Sequence, residues 1–130
     1  MTKEEHIAYW LKMAEDDWQV IDVLFNANKY LPALFFVHLS IEKICKANWI
    51  KDNATNHPPK IHNLLYLIDN SSLVLNTEER DFVHLLNDFQ IEGRYPDYQK
   101  RMNVICDKVY SAEILRKAKI IKECLLSKML

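Results

Sequence analysis

Glycine is almost absent from this chain: Gly93 is the single one in 130 residues. With only four prolines beside it, that scarcity excludes a sandwich or barrel, which needs a turn signal about every ten residues. Long apolar runs are lacking as well. The longest, residues 30–37, is interrupted by Pro32 and closed by His38, and the N-terminus reads Thr2-Lys3-Glu4-Glu5-His6 without a leader pattern. A soluble, cytoplasmic protein that does not engage a membrane is expected. Neither sign of charge prevails: 17 basic and 18 acidic residues leave a net charge of -1, so any contact with nucleic acid rests on a local patch. Cysteine is sparse and scattered. Cys45, Cys106 and Cys124 are odd in number and lie in apolar or helical stretches, as buried free thiols do in a reducing compartment. No Cys-x-x-Cys occurs, and His57 and His62 flank two prolines instead of sharing a helix face, so neither a metal nor another cofactor is expected.

What remains is abundant and helical. At 49% hydrophobic and 27% charged, the chain supports one domain with a real core, spanning residues 1–130. Over residues 4–26, Ile7, Trp10, Leu11, Ala14, Trp18, Ile21 and Phe25 recur at steps of three and four, which predicts a long amphipathic first helix. Asn26-Ala27-Asn28-Lys29 supplies a turn, and Pro32 suits the first turn of a second helix reaching about residue 52. Residues 53–59, ending in Pro58-Pro59, read as a loop. Ile61, Leu64, Leu65 and Ile68 mark a short third helix; Asn76 caps a fourth with Phe82, Leu85, Leu86 and Phe89 inward, stopped at Gly93. Residues 98–110 allow a short helix or a packed loop. Ser111 is the expected cap of a last helix with Ile114, Ala118, Ile121 and Leu125 on its face. The fold class is all-α, an up-and-down bundle of four or five helices.

Chemistry concentrates in three places. His38, Glu42 and Lys46 stand at i, i+4 and i+8, one polar line on an otherwise apolar helix. An imidazole, a carboxylate and an ammonium one turn apart can orient a ligand, and equally can form an internal ion pair in the favourable Glu-to-Lys order. Arg94, framed by Gly93 and Pro96, is held on a stiffened loop beside Tyr95 and Asp97, suited to gripping phosphate or carboxylate; an internal bridge to Asp97 or Glu42 is the plainer alternative. Arg80 and His84 lie one turn apart and can be drawn as a cation and a general base, or as an unremarkable surface pair. Trp10, Trp18 and Trp49 fit a helical core, with Trp49 partly exposed.

Four segments together resemble the HEPN family of small helical domains: Ala14-Glu15-Asp16-Asp17, Glu42-Lys43-Ile44-Cys45-Lys46-Ala47, Pro59-Lys60-Ile61-His62-Asn63-Leu64 and Arg94-Tyr95-Pro96-Asp97. They follow one another in the family's order, each on the expected element. The resemblance implies a helical bundle, frequent homodimers, and one of two roles. In the first, a non-catalytic module pairs with a separately encoded minimal nucleotidyltransferase, often in a toxin–antitoxin-like arrangement, with a nucleotide or substrate cleft; the Arg-Tyr-Pro-Asp element resembles this branch. In the second, an Arg and a His form a metal-independent ribonuclease site across a dimer. This chain departs from that motif, because only Asp81, Phe82 and Val83 separate Arg80 from His84 and no His follows Arg94.

The reading that follows is a non-catalytic, dimeric partner of a nucleotidyltransferase. An RNA-cleaving toxin using Arg80 and His84 is the alternative, and a free-standing small-molecule binder is a third class. His38, Glu42, Lys46, His62 and Arg94 are expected to line one cleft or polar network, with Tyr95 and Asp97 beside Arg94 as further ligand- or partner-binding candidates, and self-association is expected through the apolar faces of the first two helices.

Overall fold

The computed structural model describes residues 1–129, and within them every regular element is helical. Six α-helices occur in order: α1 Lys3–Asn26, α2 Tyr30–Asp52, α3 Leu64–Asp69, α4 Thr77–Leu86, α5 Pro96–Ile105 and α6 Lys108–Lys128, with a single 3₁₀ turn at Asn87–Phe89. This is the expected all-α bundle, with residues 98–110 resolved into α5 and the start of α6. No helix among the described residues is long and apolar enough to cross a membrane.

Local chemistry accounts for the helix ends. Thr2 caps α1, its hydroxyl accepting from the Glu5 N–H at 3.1 Å, with Glu4 and Glu5 at the positive end of the helix dipole. The turn to α2 places Asn28 at φ 61°, a left-handed conformation that Asn tolerates. At α4 a full capping box forms: the Asn76 side chain accepts from Glu79 N–H at 2.8 Å, and the Glu79 carboxylate accepts from Asn76 N–H at 2.9 Å.

Helices α1 and α2 form an antiparallel hairpin. Lys3 Nζ donates to the carbonyls of Ile50 and Asn53 at the far end of α2, Ser40 Oγ donates to the Ala14 carbonyl at 2.8 Å in the middle, and Asp17 pairs with Lys43. Fourteen of the 23 residues of α2 are buried, on all sides of its cylinder, which makes it the central helix. Around it pack Ala14 and Ile21 of α1, Leu64, Leu67 and Ile68 of α3, Val83 and Leu86 of α4, and Ile114, Ala118, Ile121 and Leu125 of α6, in one continuous core. Of α1 only Ala14 and Ile21 are fully buried; Leu11, Trp18, Leu24 and Phe25 are partly buried against the core, and Tyr9 and Val23 are exposed.

Three helix boundaries and one helix face differ from the sequence expectation. Helix α3 begins at Leu64, leaving Ile61 outside, because the Asn63 side chain caps it by accepting from Tyr66 N–H. The inward face of α4 is Val83, Leu86 and, in the 3₁₀ turn, Phe89; Phe82 and Leu85 are only partly buried. That helix ends at Leu86 and tightens into the 3₁₀ turn, so Gly93, at φ 76°, serves a later bend in the loop and not a helix stop. The last helix opens one turn before Ser111, capped by Asp107, whose carboxylate accepts from Tyr110 N–H at 2.8 Å; Ser111 itself is buried.

Candidate functional site

Burial makes the polar line of α2 exceptional. His38 is 0% exposed, Glu42 4% and Lys46 6%, and charged groups withdrawn that far from water must be paired. Glu42 is the hub. Its Oε2 lies 3.2 Å from Lys46 Nζ, and its Oε1 accepts from His62 Nδ1 at 2.8 Å. Lys46 Nζ also lies 5.5 Å from the centre of the Trp10 ring, whose face stabilises the ammonium. His62 reaches Glu42 from the extended segment before α3, where its own side chain remains half exposed. A ring held at Nδ1 in this way has a fixed orientation, and its Nε2 makes no hydrogen bond among the described residues.

His38 does a different job. Its Nε2 faces two oxygens, the His62 carbonyl at 3.0 Å and Asn87 Oδ1 at 3.4 Å, so Nε2 carries the proton and donates. Asn87 Oδ1 also accepts from the Leu64 N–H at 3.2 Å. One histidine and one asparagine thereby bind the chain on both sides of Asn63 to the central helix. Nδ1 of His38 is buried without a hydrogen-bond partner and stands 4.0 Å from Glu42 Oε1. Burial depresses the His38 pKa below its ordinary 6.5, outweighing the raising pull of Glu42. His38 is a neutral strut.

Arg94, Tyr95 and Asp97 form a second group. They line a groove of the loop before α5 and its first turn, together with Gly93, Pro96, Tyr98 and Arg101. Arg94 Nε donates to the Gln90 carbonyl at 3.2 Å, and its guanidinium stacks 4.2 Å from the Tyr98 ring centre, on which Arg101 also bears at 5.6 Å. Tyr98 is itself tethered, its hydroxyl donating to the Asp88 carbonyl. Arg94 makes no ion pair with Asp97 or Glu42, so neither internal bridge weighed on the sequence forms. Tyr95 is 86% exposed.

The five residues expected in one network thus fall into two sets: His38, Glu42, Lys46 and His62 gather around Glu42, while Arg94 lies with Tyr95 and Asp97, and no hydrogen bond or ion pair among the described residues joins Arg94, Tyr95 or Asp97 to Glu42. The physical reason is reach: the loop arginine is held by its own carbonyl and aromatic neighbours. Arg80 and His84 do not form a pair either. Both terminal nitrogens of Arg80, Nη1 and Nη2, donate to Asp69, at 2.7 and 3.2 Å, and this bidentate pairing lowers the Asp69 pKa and raises that of Arg80. Three contributors were missed from sequence. Tyr98 and Arg101 carry a usable signal, since Arg94-x-x-x-Tyr98 and Tyr98-x-x-Arg101 are stacking distances once a helix starts at Pro96. Asn87 carries none, because its role depends on where α3 lies. Among the described residues no group of three or more His, Cys, Asp or Glu is placed to hold a metal ion.

An all-helical bundle with a buried ionic line on its central helix, closed by a histidine from the following loop, defines a class of small helical module. The family model described as HEPN domain matches residues 7–129, and the chain belongs to the HEPN family. No curated protein and no solved structure matches it.

Proposed function

We propose that this HEPN domain is a non-catalytic module that self-associates and binds a separately encoded minimal nucleotidyltransferase, in a toxin–antitoxin-like pair, using the groove around Arg94 to contact the partner or its nucleotide. The observation that carries this reading is the state of Arg94: an exposed guanidinium without a carboxylate partner, pre-oriented by the Gln90 carbonyl and the Tyr98 ring. A cation so placed loses little freedom on meeting a phosphate or carboxylate, which favours recognition. Arg101 adds a second positive charge, and Tyr95 an exposed aromatic face.

Support against the ribonuclease alternative comes from Arg80, whose donors are turned onto Asp69, and from the short spacing to His84. Activating a 2′-hydroxyl and stabilising a pentacoordinate phosphate needs both groups free and facing one phosphate. The test is co-purification of the tagged chain with a minimal nucleotidyltransferase encoded beside it, repeated with Arg94→Ala. Binding weakened about tenfold or more, with helicity retained, is the expected result. RNA incubated with the pure protein should stay intact; cleavage abolished by Arg80→Ala or His84→Ala would establish the alternative.

A further inference from the structure

A second groove lies between α4 and α6, with a volume of about 520 Å³. Its floor is Phe82 and Leu85 of α4 with Ile120 and Ile121 of α6, and Ile120 is 58% exposed. Its rims are charged in a segregated way: every acid (Glu78, Glu79, Asp81) comes from α4 and every base (Arg116, Lys117) from α6. The two helices run antiparallel, since Cys124 meets Glu79 at 3.3 Å near one end and Phe89 meets Tyr110 near the other. Acids and bases therefore occupy diagonally opposite corners, with the apolar floor between them.

This arrangement is self-complementary. A two-fold axis passing between Phe82 and Ile120, diagonal to the groove, lays the acidic corner of one copy on the basic corner of the other and closes Ile120 of each against the apolar floor opposite. Asp81 and Lys117 are free for that exchange, neither forming an ion pair among the described residues, whereas Glu79 is held in the α4 capping box and Arg116 by Glu113. We infer that the α4–α6 groove is the self-association face of this protein, occupied by a second copy. The inference rests on the proposed self-association and places it on the α4–α6 groove instead of the α1–α2 faces, several of whose large apolar residues are already partly buried against the core.

The test is sedimentation velocity of the full chain from about 1 to 200 μM, where mass action reads a weak dimer. Ile120→Asp, at an exposed site and with helicity checked by circular dichroism, should weaken the dimer about tenfold or more. Asp81→Lys and Lys117→Asp should each weaken it, and an equimolar mixture of these two variants should restore it as a heterodimer, because each copy then offers the charge the other lacks. A dimer insensitive to Ile120→Asp, or weakened singles that fail to recover on mixing, would overturn the assignment of this face and leave self-association standing. A wild-type monomer throughout the range would overturn both, and loss of nucleotidyltransferase binding by the same groove variants would give the face to that partner instead.

Discussion

Replacing Glu42 by leucine tests the buried ionic line most directly. The substitution keeps the volume and removes both oxygens, so Lys46, 6% exposed, loses the anion 3.2 Å away and retains only the Trp10 ring face. Breaking a buried pair from one side costs about 3–5 kcal/mol, because the remaining charge is left uncompensated. For a domain whose whole stability is about 5–15 kcal/mol, that is a large fraction. Lys46→Met should be milder, since Glu42 keeps the His62 Nδ1–H donor at 2.8 Å. The double variant Glu42→Leu/Lys46→Met removes both charges, and His62, half exposed, regains water at little cost. It should lie within about 1.5 kcal/mol of wild type, as volume-conserving apolar replacements of buried pairs do. Urea unfolding followed by far-UV circular dichroism, with an unchanged dependence on denaturant, measures all four corners of the cycle. If Glu42→Leu costs less than about 1 kcal/mol, or the double variant is no more stable than Glu42→Leu, the coupling argued from burial is wrong.

Two other outcomes follow from the same region. The His38 pKa is depressed by burial, so the unfolded chain binds the extra proton first; the contribution of His38 is complete above its ordinary 6.5 and is lost as pH falls below that value toward the folded pKa. Wild type should therefore lose more of its urea midpoint between about pH 7.5 and 5 than His38→Gln does, and equal slopes would show that His38 is not held neutral. Asn87→Ala leaves the Leu64 N–H without its acceptor and removes one of the two acceptors of His38 Nε2, and should cost about 1–3 kcal/mol in the same assay. Amide exchange at Leu64 should accelerate with it, whereas an unchanged rate would remove Asn87 from its bridging role.

Local signals placed most of the helices. Steps of three and four residues placed α1 and the inward face of α6 because an apolar stripe is a local property of the cylinder, independent of what covers it, while α2, apolar on all sides, was bounded by the turn at residues 26–29 and by Pro32, and α5 stayed open between helix and loop. The i, i+4, i+8 line of His38, Glu42 and Lys46 was legible for the same reason, as was Arg94 on a stiff loop between Gly93 and Pro96. Caps were harder: Asn76 stood out through its following acids, while Asp107 displaced Ser111 as the start of α6 because several residues there can cap and packing chooses among them.

Only the tertiary structure decided which groups meet. His62 joins Glu42 across 20 residues of sequence, and Asn87 binds His38 across 49, contacts that no local spacing encodes. Arg94 found its partners in a carbonyl and a tyrosine of its own neighbourhood, and Arg80 found Asp69, so the same residue types ended in different surroundings from those their sequence neighbours suggested. Side-chain periodicity fixes which face a residue occupies, but pairing across the bundle depends on how the helices dock, and docking is settled by the shape of the whole core.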